Sequence, residues 1–149
     1  LLNKDTFNWA PWEPKVGNND HALEVIRTVT ALRRGPGKDF LVFGRMQPPA
    51  EVGGVDIIAW ECHSRVYRVP AVFHAAWTAP DGRHGVVLAN WTDRRRRVQL
   101  TDLRLGERAT MHVSGPKLTR RRLELTDGAA TITIPALGCV LVEGGGGKN

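Results

Sequence analysis

Only two cysteines occur in 149 residues, too few for a disulfide framework. A chain of this length does not need one, because it can bury roughly two-thirds of its unfolded surface. No uninterrupted apolar stretch approaches the ~20 residues that span a bilayer, so no membrane partner is expected. Histidine is sparse and scattered: His21, His63, His74, His84 and His112 show no H-x-x-x-H spacing, and the cysteines no C-x-x-C, so neither metal nor cofactor is expected. Ser64 and Ser114 lack the G-x-S-x-G elbow of serine hydrolases. The glycines at 144–147 follow a strand-like run without leading into a helix, which is not a phosphate loop. Also missing are an initiator methionine and a secretory signal; the opening Leu1-Leu2-Asn3-Lys4 reads as the start of a fragment.

What is present, 42% hydrophobic and 24% charged residues, is the composition of one ordinary globular domain. The formal charge of +6 invites a nucleic-acid or anionic partner. The basic runs at 94–97 and 120–122, however, fall where turns pass into strands. Alternation then sends neighbouring arginines to opposite faces, and no aromatic is interleaved for base stacking. Solvated edges, where charge discourages aggregation, are the simpler reading, and a basic nucleic-acid-binding β-domain stays a rival.

Residues 3–19 carry Trp9, Pro11, Trp12, Pro14 and Gly17 without helical or strand period, and residues 1–19 read as a loop. Within it Trp9 and Trp12, flanked by Asp5 and Glu13, form the candidate substrate-binding cluster. Indole faces stack on sugar rings while carboxylates accept hydroxyl hydrogen bonds, so carbohydrate is the candidate ligand. In residues 20–35, Ala22, Val25, Ile26, Val29 and Leu32 make one helical stripe, with Asn19 or Asp20 as cap, Arg33 and Arg34 in the last turn, and Gly35 available as a left-handed stop before Pro36.

From residue 38 the period changes to two. Strands are expected at 39–46, 55–62, 71–78, 84–91, 95–100, 108–114, 120–125, 129–134 and 138–143, with hairpin-type turns at Asp81-Gly82 and Asp127-Gly128. The fold class is therefore mainly β: an antiparallel, Greek-key-like β-sandwich of eight or nine strands over residues 38–143, preceded by one amphipathic α-helix. Residues 144–149 read as a glycine-rich tail.

Within the strands chemistry is thin. Glu61 is in a strand interior, Asp56 at its start and Glu51 in a Pro/Gly loop; no two carboxyls are nominated for the ~5–9.5 Å pairing of a glycosidase, so no catalytic residue is assigned. Cys62 and Cys139 sit among apolar neighbours, as small buried hydrophobes or as a pair joined across strands. Asn90-Trp91-Thr92 matches a glycosylation sequon, against which its strand setting argues.

The order of parts resembles the end of a TIM-barrel glycosidase. Leu32-Arg33-Arg34 stands where the last barrel helix of the alpha-amylase superfamily and alpha-galactosidase-like relatives ends in a leucine-arginine pair, and residues 40–44 where the first sandwich strand closes on glycine. GVVLANWTD at 85–93 is similar to their strand-asparagine-turn pattern, and ITIPALGCVLVE at 132–143 to their last strand pair. GKDFLVFGRM and AVFHAAWTAPDGRHGVVLANWTD resemble an uncharacterised glycosidase-like barrel family. The resemblance implies a C-terminal accessory domain whose partner is an upstream catalytic barrel of the same polypeptide. It also implies that the helix stripe is buried against that barrel, and that the loop before the helix lies on the active-site face. A carbohydrate-binding module is the other alternative.

Overall fold

The computed structural model describes residues 20–62 and 64–145, with Cys62 described by its backbone alone. Helix α1 (Asp20–Arg34) forms where the 3.6-residue stripe falls; Asp20 lies in its first turn, Arg33 and Arg34 in its last, and Glu24 pairs with Arg27 at 2.7 Å. It ends where Pro36 dictates, but Gly35 is not left-handed. The Gly35 and Gly37 N–H groups donate to Ala31 and Leu32 carbonyls, and the chain turns directly into a second short helix, α2 (Lys38–Leu41). The strand expected over 39–46 is therefore mostly helical turn. An apolar run such as FLVF has no period to distinguish the two, and burial of Phe40 beneath α1 decides it.

Among the described residues eleven strands follow: β1 (Arg45–Gln47), β2 (Glu51–Gly53), β3 (Ile57–Cys62), β4 (Arg65–Pro70), β5 (Val72–Thr78), β6 (His84–Asn90), β7 (Arg96–Thr101), β8 (Arg108–Ser114), β9 (Leu118–Glu124), β10 (Ala129–Ile134) and β11 (Cys139–Gly144). Two of them, β2 in the expected Pro/Gly loop and β4 at 65–70, were not legible as strands. A six-stranded antiparallel sheet runs β1-β5-β6-β11-β8-β9, a three-stranded sheet runs β10-β7-β2, and β3-β4 pair only with each other.

The two larger sheets close on the main core. Val72, Ala76, Val86, Leu88, Met111, Val140 and Val142 face Val98, Leu100, Ala130, Ile132 and Ile134, giving the antiparallel sandwich expected from the alternating sequence. Asp127 and Gly128 both adopt positive φ in a two-residue turn closed by the Thr126–Ala129 bridge; this turn carries the chain from β9 in one sheet to β10 in the other.

The outer face of the six-stranded sheet is also partly covered. Leu32 and Val29 of α1 and Phe40 of α2 pack on Cys139, Leu141, Val87, Ala89 and Trp77. Polar bonds fix the helix: Ser114 Oγ donates to the Thr28 carbonyl at 2.8 Å, and Thr28 Oγ1 donates to the Leu137 carbonyl at 2.9 Å. The C-terminal half of the helix stripe thus has a partner within its own domain, whereas Leu23 near its start remains exposed.

Candidate functional site

The pair β3-β4 is an excursion between β2 and β5 whose neck is tied at three points. Ala71 N–H donates to the Asp56 carbonyl at 2.8 Å, Trp91 Nε1 donates to the Pro70 carbonyl at 2.7 Å, and Arg96 pairs with the Asp56 carboxylate. Arg96 is further held by donation from its Nε to Thr92 Oγ1 at 3.0 Å.

Register places Trp60 opposite Tyr67, and their rings stack with centroids 5.5 Å apart and planes 15° apart. Trp91 approaches Trp60 edge-on at 6.2 Å. The three rings come from separate strands or turns, so only the folded hairpin assembles them. Trp60 is 43% and Tyr67 41% exposed; on the opposite face of the hairpin Ile57 and Val66 are 57% and 65% exposed. A two-stranded ribbon with apolar residues open on both faces is marginal in water alone, and neither larger sheet pairs with or covers these side chains.

A polar network closes the far end of the outer sheet face. Glu143 accepts from His112 at 2.6 Å and pairs with Arg83, which also reaches Asp81 at 2.7 Å and Asp39 at 2.8 Å and lies 5.3 Å from the Phe40 ring centroid. Burial works to raise the Glu143 pKa, but His112 and Arg83 outweigh it and hold the carboxyl below its ordinary value. Nearby, buried His84 meets Asp102 at 3.0 Å, and Asp102 also accepts from the Arg104 backbone and guanidinium. Burial depresses the His84 pKa despite Asp102. For Asp102 burial is again the largest influence and acts upward, yet the Arg104 and His84 contacts together hold the carboxyl low. Both groups are spent on fixing the turn between β7 and β8.

Asp5, Trp9, Trp12 and Glu13 lie outside the described residues, so the aromatic cluster expected there is not placed. The aromatic assembly that the structure does describe was missed, because Trp60, Tyr67 and Trp91 are far apart in sequence and β4 was not read as a strand. Of the tetrad 94–97 only Arg96 and Arg97 fall in β7, where they take opposite faces: Arg96 turns inward to Asp56 and Arg97 is exposed, while Arg94 and Arg95 precede the strand and are both exposed, so the alternation expected across the whole run does not hold. Asn90 is fully buried; its amide donates to the Arg94 and Pro135 carbonyls and accepts from the Thr92 N–H and hydroxyl, a turn-locking role. Cys139 is a free thiol, pushed up to about 11 by burial. Among the described residues no group of three His, Cys, Asp or Glu side chains is arranged to hold a metal.

Solved structures that share part of this backbone include a bifunctional glucanase-xylanase from a metagenome library, at TM-score 0.45 and 15% identity over 52% of this chain and 17% of that one. A GH30 endoxylanase from Clostridium papyrosolvens C71 matches at 0.43 and 15%, over 50% and 20%. A GH51 arabinofuranosidase from Xanthomonas axonopodis pv. citri matches at 0.42 and 16%, over 58% and 21%. These neighbours are glycoside hydrolases, and the chain spans about a fifth of their length. No family model matches the sequence, and no curated protein matches it.

Proposed function

We propose that this chain is an accessory, non-catalytic β-sandwich of a carbohydrate-active enzyme, joined to a catalytic barrel of the same polypeptide and seated against it through the β3-β4 hairpin. The observation that carries the proposal is the hairpin itself, tied at its neck to the sandwich but leaving Ile57, Val66, Trp60 and Tyr67 open. Covering such a ribbon removes apolar area from water at roughly 25 cal/mol per Å², enough for a modest area to hold two domains in register. The sequence resemblance to the end of a glycosidase barrel supports a catalytic barrel as the cover.

The test joins the chain to the barrel segment encoded before it and compares hydrogen exchange at 57–70 and thermal stability with those of the chain alone. Added protection there, lost with Ile57→Asp plus Val66→Asp, is the expected result. Unchanged exchange and stability, or the lack of a barrel in the reading frame, overturns the proposal.

The stacked Trp60–Tyr67 pair favours a second reading, a carbohydrate-binding module, since exposed indole and phenol faces suit sugar rings. That reading requires the isolated chain to bind a neutral oligosaccharide in calorimetry and to lose binding with Trp60→Ala; flat titrations across a glycan panel overturn it.

A further inference from the structure

A recess of about 710 Å³ opens on the outer face of the six-stranded sheet at its β8-β9 end. Four arginines from three segments line it: Arg83 before β6, Arg108 in β8, and Arg120 and Arg122 in β9, together with Thr110, Glu124 and Glu143. Register accounts for the convergence. Arg120 stands opposite His112, Arg122 opposite Thr110 and Glu124 opposite Arg108, so all project to the face that carries Glu143, whereas Arg121 turns the other way toward Met111. Arg120 and Arg122, two residues apart on one strand, hold their guanidinium stems about 7 Å apart.

Arg83 is committed to Asp39, Asp81 and Glu143, while Arg108, Arg120 and Arg122 make no hydrogen bond or ion pair among the described residues. Charge along edge strand β9 would by itself discourage sheet-to-sheet association. Edge protection, however, asks for neither a concave wall nor arginines gathered from separate strands, and the volume falls in the range of small-molecule sites.

We infer that this recess is a binding site for an acidic sugar, a short oligosaccharide carrying uronate carboxylates. Three free guanidinium forks suit planar carboxylates that accept two parallel hydrogen bonds. Glu124, Glu143 and Thr110 in the same walls supply acceptors for ring hydroxyls, and the two carboxylates oppose a uniformly charged phosphate backbone, which sets this site apart from a nucleic-acid track. The choice of a sugar as carrier of the acid group rests on the carbohydrate-enzyme reading; the gathering of the arginines does not.

The test titrates the full 149-residue chain at low salt with trigalacturonate, with a neutral galactose trimer, and with a single-stranded trinucleotide. Saturable binding of trigalacturonate is expected, none of the neutral trimer, and weaker binding of the trinucleotide. Arg120→Ala plus Arg122→Ala should weaken binding about ten-fold or more, and Arg122→Lys, which keeps the charge but not the fork, by several-fold; circular dichroism verifies that these exposed positions leave the fold intact. Absence of trigalacturonate binding, insensitivity to these variants, or a trinucleotide bound as tightly overturns the inference. None of these measurements touches the hairpin, so failure here and failure of the accessory-domain reading are separate results.

Discussion

Gly85 and Phe40 give the most demanding test of how the helical layer meets the sheet. Phe40 is 0% exposed, and a Cβ added at Gly85 would sit 2.7 Å from ring atoms Cδ1 and Cε1 and 3.2 Å from Leu141 Cδ1. Gly85 is absent from the positive-φ residues, so alanine there meets a steric obstacle and no backbone one. Overpacking of this kind costs about 1–3 kcal/mol, less the ~0.4–1 kcal/mol gained by restricting the unfolded chain. Phe40→Ala alone should cost about 3–5 kcal/mol through lost contact and a residual cavity. In the double variant the methyl introduced by Gly85→Ala enters space the ring has vacated, so its obstacle disappears and the pair should cost no more than Phe40→Ala by itself. The expected coupling is about 1–2 kcal/mol, well above the ~0.5 kcal/mol scatter of independent sites. Urea unfolding followed by tryptophan fluorescence and circular dichroism measures all four proteins. Additive costs, or a neutral Gly85→Ala, would refute the packing of α2 onto β6.

Acid should act in two windows. The His84 pKa is depressed on folding, so its stabilisation is complete above the ordinary histidine value near about 6.5 and erodes below it as the unfolded chain takes up the proton first; an NMR titration that places His84 at or above that value contradicts this. Glu143 is likewise held low, so its contribution is present above about pH 4.3 and lost as pH falls through the folded pKa; Glu143→Gln should flatten the acid limb of a melting-temperature profile, and an unchanged limb counts against the network. Trp91→Phe removes the donor to the Pro70 carbonyl and should cost about 1 kcal/mol while speeding hydrogen exchange in β3-β4 more than in the sandwich. The Cys139 thiol, raised to about 11 and buried, should resist alkylation at neutral pH until denaturant is added; prompt labelling at this position would show that α1 does not cover β11.

The sandwich was legible because its strands alternate and its turns carry Asp-Gly. Val86, Leu88, Val140 and Val142 declare an inward face, and Asp127-Gly128 adopts the positive-φ pair that a tight turn needs. Residues 39–46 were misread because Phe40 to Phe43 offers apolar character without period, and only the contact with Gly85 and Leu32 makes one turn of helix the better solution. The sequence RVYRVP was passed over because it is open on both sides and so carries no buried alternation to recognise. The recess escaped notice for a related reason. Alternation along 120–122 sets Arg120 and Arg122 on one face and Arg121 on the other, but that Arg108 and Arg83 join Arg120 and Arg122 depends on register and on how the β5-β6 turn folds back, neither of which is local. The buried Asn90 was legible only in part: its strand setting spoke against modification, while its four hydrogen bonds required the partners to be seen.

Burial of that asparagine sets modification of its sequon against folding. Its amide nitrogen is inaccessible once the β6 turn closes, so an oligosaccharide can be attached only while the segment is still open, and a glycan once attached would bar the turn from forming. In any secretory host the fraction of molecules carrying sugar at Asn90 would therefore record a race between the transferase and the closing of one turn. Slower-folding variants would be modified more often, and because a modified chain cannot close this turn, the sugar would mark the molecules that fail to complete the fold.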